Sequence, residues 1–421
     1  MRPRTPFSPW LAPAVACALL ACQGQSQTDG SGGMRAGAGG DNAAAGGAPG
    51  GTGGDERAGS GGAISGTGGR TGSGGAAGRT GGGGAPGLGG AATTGSGGNG
   101  SGGSSNTGAG GGGTTGGSGL PTPPGGGVAR PAGTPGNLTV VSWAGFRAAV
   151  TYTFDDSNQS QITHYNDLQA LGVPMTFYLI TSKSESSNPV WMRALADGHE
   201  LGNHTQSHLM TGTAADVDAG SAFLQRTFGI TAWTMASPYG DPSYPPLAAT
   251  RYLANRGVAN GLIAPNDNTD PFNLFCYVPP PGALAGAFNT EIDAARSAGR
   301  WKIVLVHGFT DGTDGAYQPV SITEFSAGVT HAKSFGDVWI DTLVNVAAYW
   351  RAQKLLSSIT PVVSGTTRTW TWTLPAHFPP GKFLRVRVDG GTPTQGGAPL
   401  AWNDHGYYEI ALDRGSLTLG P

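Results

Sequence analysis

His204 and His208 stand four residues apart in the stretch Asn203 to His208. On a helical turn that spacing puts both imidazoles on one face, within reach of a single ion. A lone pair of this kind is more often solvated or a satisfied pair of core residues, so its surroundings decide the matter. Gly198 and Gly202 lie beside it, and an earlier apolar run ends in the paired carboxylates Asp155 and Asp156. Another apolar run ends at His307, and a third leads into Ser237, Pro238, Tyr239 and Gly240. One carboxylate and two imidazoles make a donor set suited to a divalent ion such as zinc, with a position left for water. The remaining carboxylate and the third histidine are then a candidate base and acid. Other divalent ions fit the same donors, so the metal's identity stays open.

These residues must be positioned by the elements that carry them. Ala148–Phe154, Pro174–Ile180, Ile230–Met235, Val258–Ile263, Trp301–Val306 and Val338–Ile340 read as strands. Ile162–Leu171, Val190–Ala196, Ala214–Phe228, Leu247–Arg256, Glu291–Ala298, Ile322–Lys333 and Leu343–Leu356 read as helices, several of them stopped by Gly. Near-continuous apolar strands alternating with helices predict an α/β protein built on a parallel sheet or barrel. In such folds sites form at the carboxyl ends of strands, where the carboxylates and His307 fall. Beyond Ile359 the pattern changes to period two in Thr367–Leu374 and Phe383–Val388, with turn residues between. This predicts a small antiparallel β-domain over 358–421, with Trp370, Trp372 and Trp402 as core residues and sugar stacking the minor reading.

Composition limits what else the chain can be. It has 421 residues and a formal net charge of −2, which proposes neither nucleic acid nor acidic lipid as a partner. Of its three cysteines, only Cys276 lies in the body of the chain, so no disulfide framework is expected. Residues 1–22 read as an export signal: Arg2 and Arg4, then a short apolar stretch ending in Leu19, Leu20, Ala21 and Cys22. Residues 23–127 are rich in Gly, Ala, Ser and Thr and hold most of the chain's 76 glycines. Such a tract cannot bury enough apolar surface to offset its conformational entropy. About 100 Gly-rich residues span on the order of 50–60 Å, which suits a tether.

Three stretches carry a resemblance to a known family. Thr153 to Asp156, His204 to His208 and Leu305 to His307 resemble the first, second and fifth motifs of the polysaccharide deacetylases, the NodB-homology carbohydrate esterases. The similarity runs from about Val140 to Leu356 and follows the family's motif order. It implies a distorted (β/α) barrel over 128–357 and a hydrolase that removes acetyl groups from N- or O-acetylated polysaccharide with a divalent metal. It further implies Asp156, His204 and His208 as metal ligands, Asp155 as base and His307 as acid. The Tyr239 backbone N–H would face the oxyanion. The end of the leader resembles a bacterial lipobox, implying a lipid on Cys22 and an exported, envelope-anchored protein, at the outer membrane or cell surface, expected to be a monomer.

Two departures from the family pattern stand out. The third motif usually opens with an arginine that pairs with the base, whereas this chain reads Met235, Ala236 and Ser237 there. The fourth motif, an Asp-Trp element that orients the histidine, has only Asp267, Asp270 and Asp337 to Trp339 as candidates. Weak activity, or a glycan-binding lipoprotein without turnover, is the alternative that these gaps leave. A third reading makes the β-domain the working surface. Asp311 and Asp314 read as part of a solvated loop.

Overall fold

The computed structural model describes residues 118–421. The expected leader, most of the Gly-rich tract and Cys22 lie outside the described residues. Among the described residues no helix is long and apolar enough to cross a membrane.

Six parallel strands follow one another around a sheet: β2 (Ala148–Phe154), β3 (Thr176–Leu179), β4 (Glu200–Asn203), β5 (Thr234–Ala236), β6 (Ala254–Arg256) and β7 (Trp301–Val306), preceded in the chain by β1 (Leu138–Val140). Their order is β6-β5-β4-β3-β2-β7. A further strand, β8 (Val338–Ile340), pairs with the first half of β2, while β3 pairs with its second half. The open edges of β6 and β7 are joined by Leu274–Tyr277, which bridges Arg256 on one side and Val304 on the other. The result is a distorted (β/α) barrel. β2 and β7 are buried along their whole length, which is why they read as near-continuous apolar runs.

The helices are α1 (Gln159–Thr163), α2 (Tyr165–Ala170), α3 (Val190–Ala196), α4 (Ala214–Phe228), α5 (Tyr244–Ala249), α6 (Ala285–Ala298), α7 (Ile322–Ser334) and α8 (Leu343–Ser357). One expected helix, Ile162–Leu171, is two short ones broken at His164, whose Nδ1 and Nε2 engage Asp167 and Asp311. The expected helix Leu247–Arg256 is also wrong. It ends early as α5, and its last residues form β6, because Leu253–Arg256 pairs between β5 and the Pro271–Leu274 segment. The expected strand Val258–Ile263 reduces to a single antiparallel bridge from Ile263 to Trp301. β4 was not expected, since its sequence ELGN is polar.

The rest forms two antiparallel sheets. β1, β11 (Phe383–Val388), β15 (Tyr407–Ala411) and β14 (Trp402–Asn403) make one. β13 (Ala398–Pro399), β12 (Thr392–Gln395), β16 (Ser416–Gly420), β10 (Thr367–Thr371) and β9 (Val362–Ser364) make the other. Trp370 and Trp372 are buried with Leu384, Ile410 and Leu417 in a cluster that also contains Trp350 of α8. β1 crosses the expected boundary at 357/358, pairing Leu138 with Val388. Residues 118–127 fall in the range expected for the tether, yet the carbonyls of Leu120 and Pro121 accept bonds from the buried Arg385.

Glycine is required at one position of β4. A Cβ on Gly202 would overlap the Tyr178 ring inside the barrel. Gly202→Ala is expected to cost about 1–3 kcal/mol by overpacking, read as a lower urea midpoint with an unchanged slope.

Candidate functional site

Asp155, Asp156, His204, His208, Tyr239 and His307 line one cavity of about 720 Å³ at the carboxyl ends of the strands. The first two follow β2, the histidine pair follows β4, Tyr239 follows β5 and His307 follows β7. The histidine pair does not lie on a helical turn. His204 to His208 is a loop in which Thr205 and His208 adopt φ of 66° and 52°. That loop is tied down locally: Thr205 N–H donates to Asn203 Oδ1, His208 N–H to Thr205 Oγ1, and Ser207 N–H to Asp216 Oδ1. Asp156 and Ser157 are left-handed too, at φ 75° and 54°. For non-glycine residues such conformations cost on the order of 1–3 kcal/mol each and persist only where neighbours enforce them. Here Ser157 Oγ accepts the Ile180 N–H and a bond from Ser186 Oγ, which locks the turn that aims Asp156.

The donor atoms converge. Asp156 Oδ1 lies 3.4 Å from His204 Nε2 and 3.5 Å from His208 Nε2. Ligand arms of about 2.1 Å in a tetrahedral arrangement set neighbouring donors about 3.4 Å apart. His204 Nδ1 sits 3.0 Å from the Ala236 carbonyl, so Nδ1 carries the proton and Nε2 is left with its lone pair. Asp156 Oδ1 is buried without a hydrogen-bond partner. Three inward lone pairs, one of them otherwise orphaned, fit a divalent cation.

Electrostatics within the cluster are strongly coupled. Burial alone would raise Asp156, but the close approach of His204 and the other nearby imidazoles hold its carboxyl well below the usual carboxylate range. Burial and the neighbouring His204 push His208 down to about 4, which keeps its ring neutral and able to ligate. Burial also lowers His307, and the Asp155 and Asp156 charges restore only part of the drop.

The arginine missing from the expected position is supplied by another strand. Arg256, at the end of β6, is fully buried and pairs through Nη2 with Asp155 Oδ2. Its Nη1 donates to the Gly257 carbonyl at 2.8 Å, and its guanidinium stands over the Tyr178 ring at 5.6 Å. Sequence reasoning missed it because β6 read as a helix end. The signal was present in Arg256-Gly257, a charge set between apolar segments at a place where strands terminate. Asp155 is thereby divided: Oδ2 is held, while Oδ1 is buried and has no partner.

No fourth-motif candidate reaches His307. Asp267 caps its own loop at Ala264 and Thr269, Asp270 accepts the Phe272 N–H, and Asp337 pairs with Arg296. The His307 backbone is fixed instead, its carbonyl accepting from Asn158 Nδ2 and Gln161 Nε2, each at 2.8 Å. The ring packs edge-on against Tyr317, centroids 5.2 Å apart. Asp311 and Asp314 are not simply solvated: they bind His164 Nε2 and the Ser160 N–H. Tyr239 has φ of 56°, and its turn is closed by the Gly240 and Asp241 amides rather than its own.

Arg256→Met would leave Asp155 charged, buried and unpaired. It is expected to destabilise the chain by about 3–5 kcal/mol in urea unfolding at neutral pH. Adding Asp155→Asn should recover most of that loss; an additive double variant would mean that the pair is not coupled.

Residues 147–258 match the family model described as Polysaccharide deacetylase. Over 159 residues the chain is 31% identical to a gellan lyase from Bacillus sp., a stretch that covers 35% of this chain and 6% of that much longer protein. Among solved structures it is similar to a putative polysaccharide deacetylase from Mycobacterium smegmatis, at 19% identity and a TM-score of 0.38, covering 51% of this chain and 94% of that one. It is also similar to a family 4 acetyl xylan esterase from Clostridium thermocellum, at 19% identity and a TM-score of 0.32, covering 47% and 89%. The match over 147–258, which contains both carboxylates, both histidines of the pair and Arg256, supports a polysaccharide deacetylase domain in this chain.

Proposed function

We propose that the chain is a metal-dependent hydrolase that removes acetyl groups from N- or O-acetylated polysaccharide. The observation that carries this is the convergence of Asp156 Oδ1, His204 Nε2 and His208 Nε2 beside the unpartnered Asp155 Oδ1. A divalent ion, zinc by the donor set, would be held by Asp156, His204 and His208 and would polarise the acetyl carbonyl and acidify a water. Asp155 Oδ1 accepts the proton of the attacking water, while Arg256 keeps Oδ2 fixed and offsets the charge. The Tyr239 N–H, left out of its turn's closing bonds, donates to the developing oxyanion. His307 delivers a proton to the departing amine or alcohol, without which an amine leaves poorly. The non-catalytic alternative rested on a missing guanidinium, and Arg256 removes that ground.

The proposal extends to location. The basic start and the Leu19-Leu20-Ala21-Cys22 ending support export and a lipid on Cys22, with the catalytic body held at the cell envelope. Cys22→Ser is expected to move the expressed chain from the detergent phase to the aqueous phase in phase partitioning. Unchanged partitioning would remove the anchor.

Acetate release from a panel of acetylated glycans tests the reaction. Activity should vanish on chelation and return with zinc. Asp155→Asn and His204→Ala should each lose about 10²-fold or more in kcat/KM, the scale of a positioned base or Lewis acid. Zinc binding that needs His204 without acetate release from any substrate would sink the deacetylase reading.

A further inference from the structure

Two exposed tyrosines flank the catalytic cluster on separate loops. Tyr239, 56% exposed, packs against the His208 ring at 4.5 Å, and Tyr317, 61% exposed, packs against His307 at 5.2 Å. Large aromatic rings left in solvent beside a cavity present apolar faces of negative potential. One face of a pyranose ring is a patch of polarised C–H groups that complements such a surface. Tyr317 is held there by design of its loop. Phe309 and Val320 bridge its base, Asp314 Oδ2 accepts the Ser160 N–H at 2.6 Å, and Asp311 engages His164 Nε2 at 2.8 Å. The remaining wall is Ser237, Val258, Val278, Leu305, Gly315 and Gln318, and no lysine or arginine lines the cavity among the described residues. Arg256 is buried behind the cluster and already paired with Asp155. A carboxylate or sulfate on the glycan would therefore enter a site that carries two aspartates and offers it no side-chain cation.

We propose that Tyr317 is a specificity-determining stacking platform which, with Tyr239, selects a neutral pyranose ring and disfavours polyanionic glycans. This rests on the deacetylase reading and names the substrate class for that site. The test compares the full chain with Tyr317→Ala, Tyr317→Phe and Trp402→Ala. Substrates are acetylated xylo-oligosaccharides and chito-oligosaccharides (neutral), acetylated oligogalacturonates (anionic) and para-nitrophenyl acetate (no sugar). Calorimetry with unacetylated xylo-oligosaccharide and with chito-oligosaccharide reads binding without turnover. Tyr317→Ala should raise KM for the neutral oligosaccharides about tenfold, the equivalent of one lost aromatic contact. It should leave para-nitrophenyl acetate hydrolysis unchanged, and Tyr317→Phe should behave as the unaltered chain. Equal loss on sugar and sugar-free esters would make Tyr317 a mere support for His307 and overturn the proposal. So would anionic oligomers used as well as neutral ones, or binding abolished by Trp402→Ala and untouched by Tyr317→Ala. If no glycan releases acetate, the calorimetry still decides. Neutral-sugar binding that needs Tyr317 keeps this inference while the deacetylase reading fails, and absence of such binding overturns it.

Discussion

The buried pair of Asp155 and Arg256 is the interaction on which the site depends. Both side chains are almost wholly excluded from solvent, so removing either partner would leave the other charge buried and uncompensated. The pair also does something geometric. Asp155 follows β2 and Arg256 ends β6, strands separated in the sheet order by β3, β4 and β5. Their contact spans the barrel mouth and fixes the distance across it. The interior below is correspondingly polar: Glu200 accepts from Thr176 and Thr234, and Tyr178 shares a hydrogen bond with Thr234. The guanidinium itself is met by the Gly257 carbonyl at Nη1 and by the Tyr178 ring, while its Nε stays buried without a partner.

Around that pair the loops store backbone strain. Among the described residues, the left-handed non-glycine positions include Asp156, Ser157, Thr205, His208, Tyr239 and Gln318, all at the cavity or in the loops that line it. Several are held by named bonds, such as the Ser157 hydroxyl network and the Asn203 amide, whose Nδ2 reaches Val217, Ser221 and Tyr252. The sharp turns let short segments aim side chains back over the strand ends, where helical or extended backbone would carry them past the cavity.

How much of this could be read in advance follows from burial pattern. β2, β7 and β8 were legible because strands covered on both faces are apolar throughout. β4 was not, since Glu200, Gly202 and Asn203 face polar neighbours inside the barrel or the loop beyond it. β6 was not, since three residues are too few for a period and the preceding apolar spacing resembled a helix. That one error hid Arg256 and made the site look deficient. The site residues themselves were visible from type and order, but the loop geometry of His204 to His208 was not, because nothing in Thr205 or His208 announces a positive φ.

The position of Arg256 bears on how a catalytic pattern should be read at all. What Asp155 requires is a guanidinium at one point in space, and neighbouring strand ends in a parallel barrel converge on the same region. β5 ends at Ala236, and Arg256 is its register partner on the adjacent strand. A side chain from either strand can therefore approach the same carboxylate, and a motif that looks interrupted along the chain can be complete in the fold. His307 is the opposite case. No carboxylate hydrogen-bonds its ring among the described residues, so the anchors on its carbonyl, Asn158 and Gln161, carry the orientation. Burial is the main cause that lowers the proton affinity of His307, and the nearby Asp155 and Asp156 charges offset only part of it. If His307 serves as the acid, that lower proton affinity would ease transfer to a basic leaving group while leaving a smaller share of the rings protonated at neutral pH.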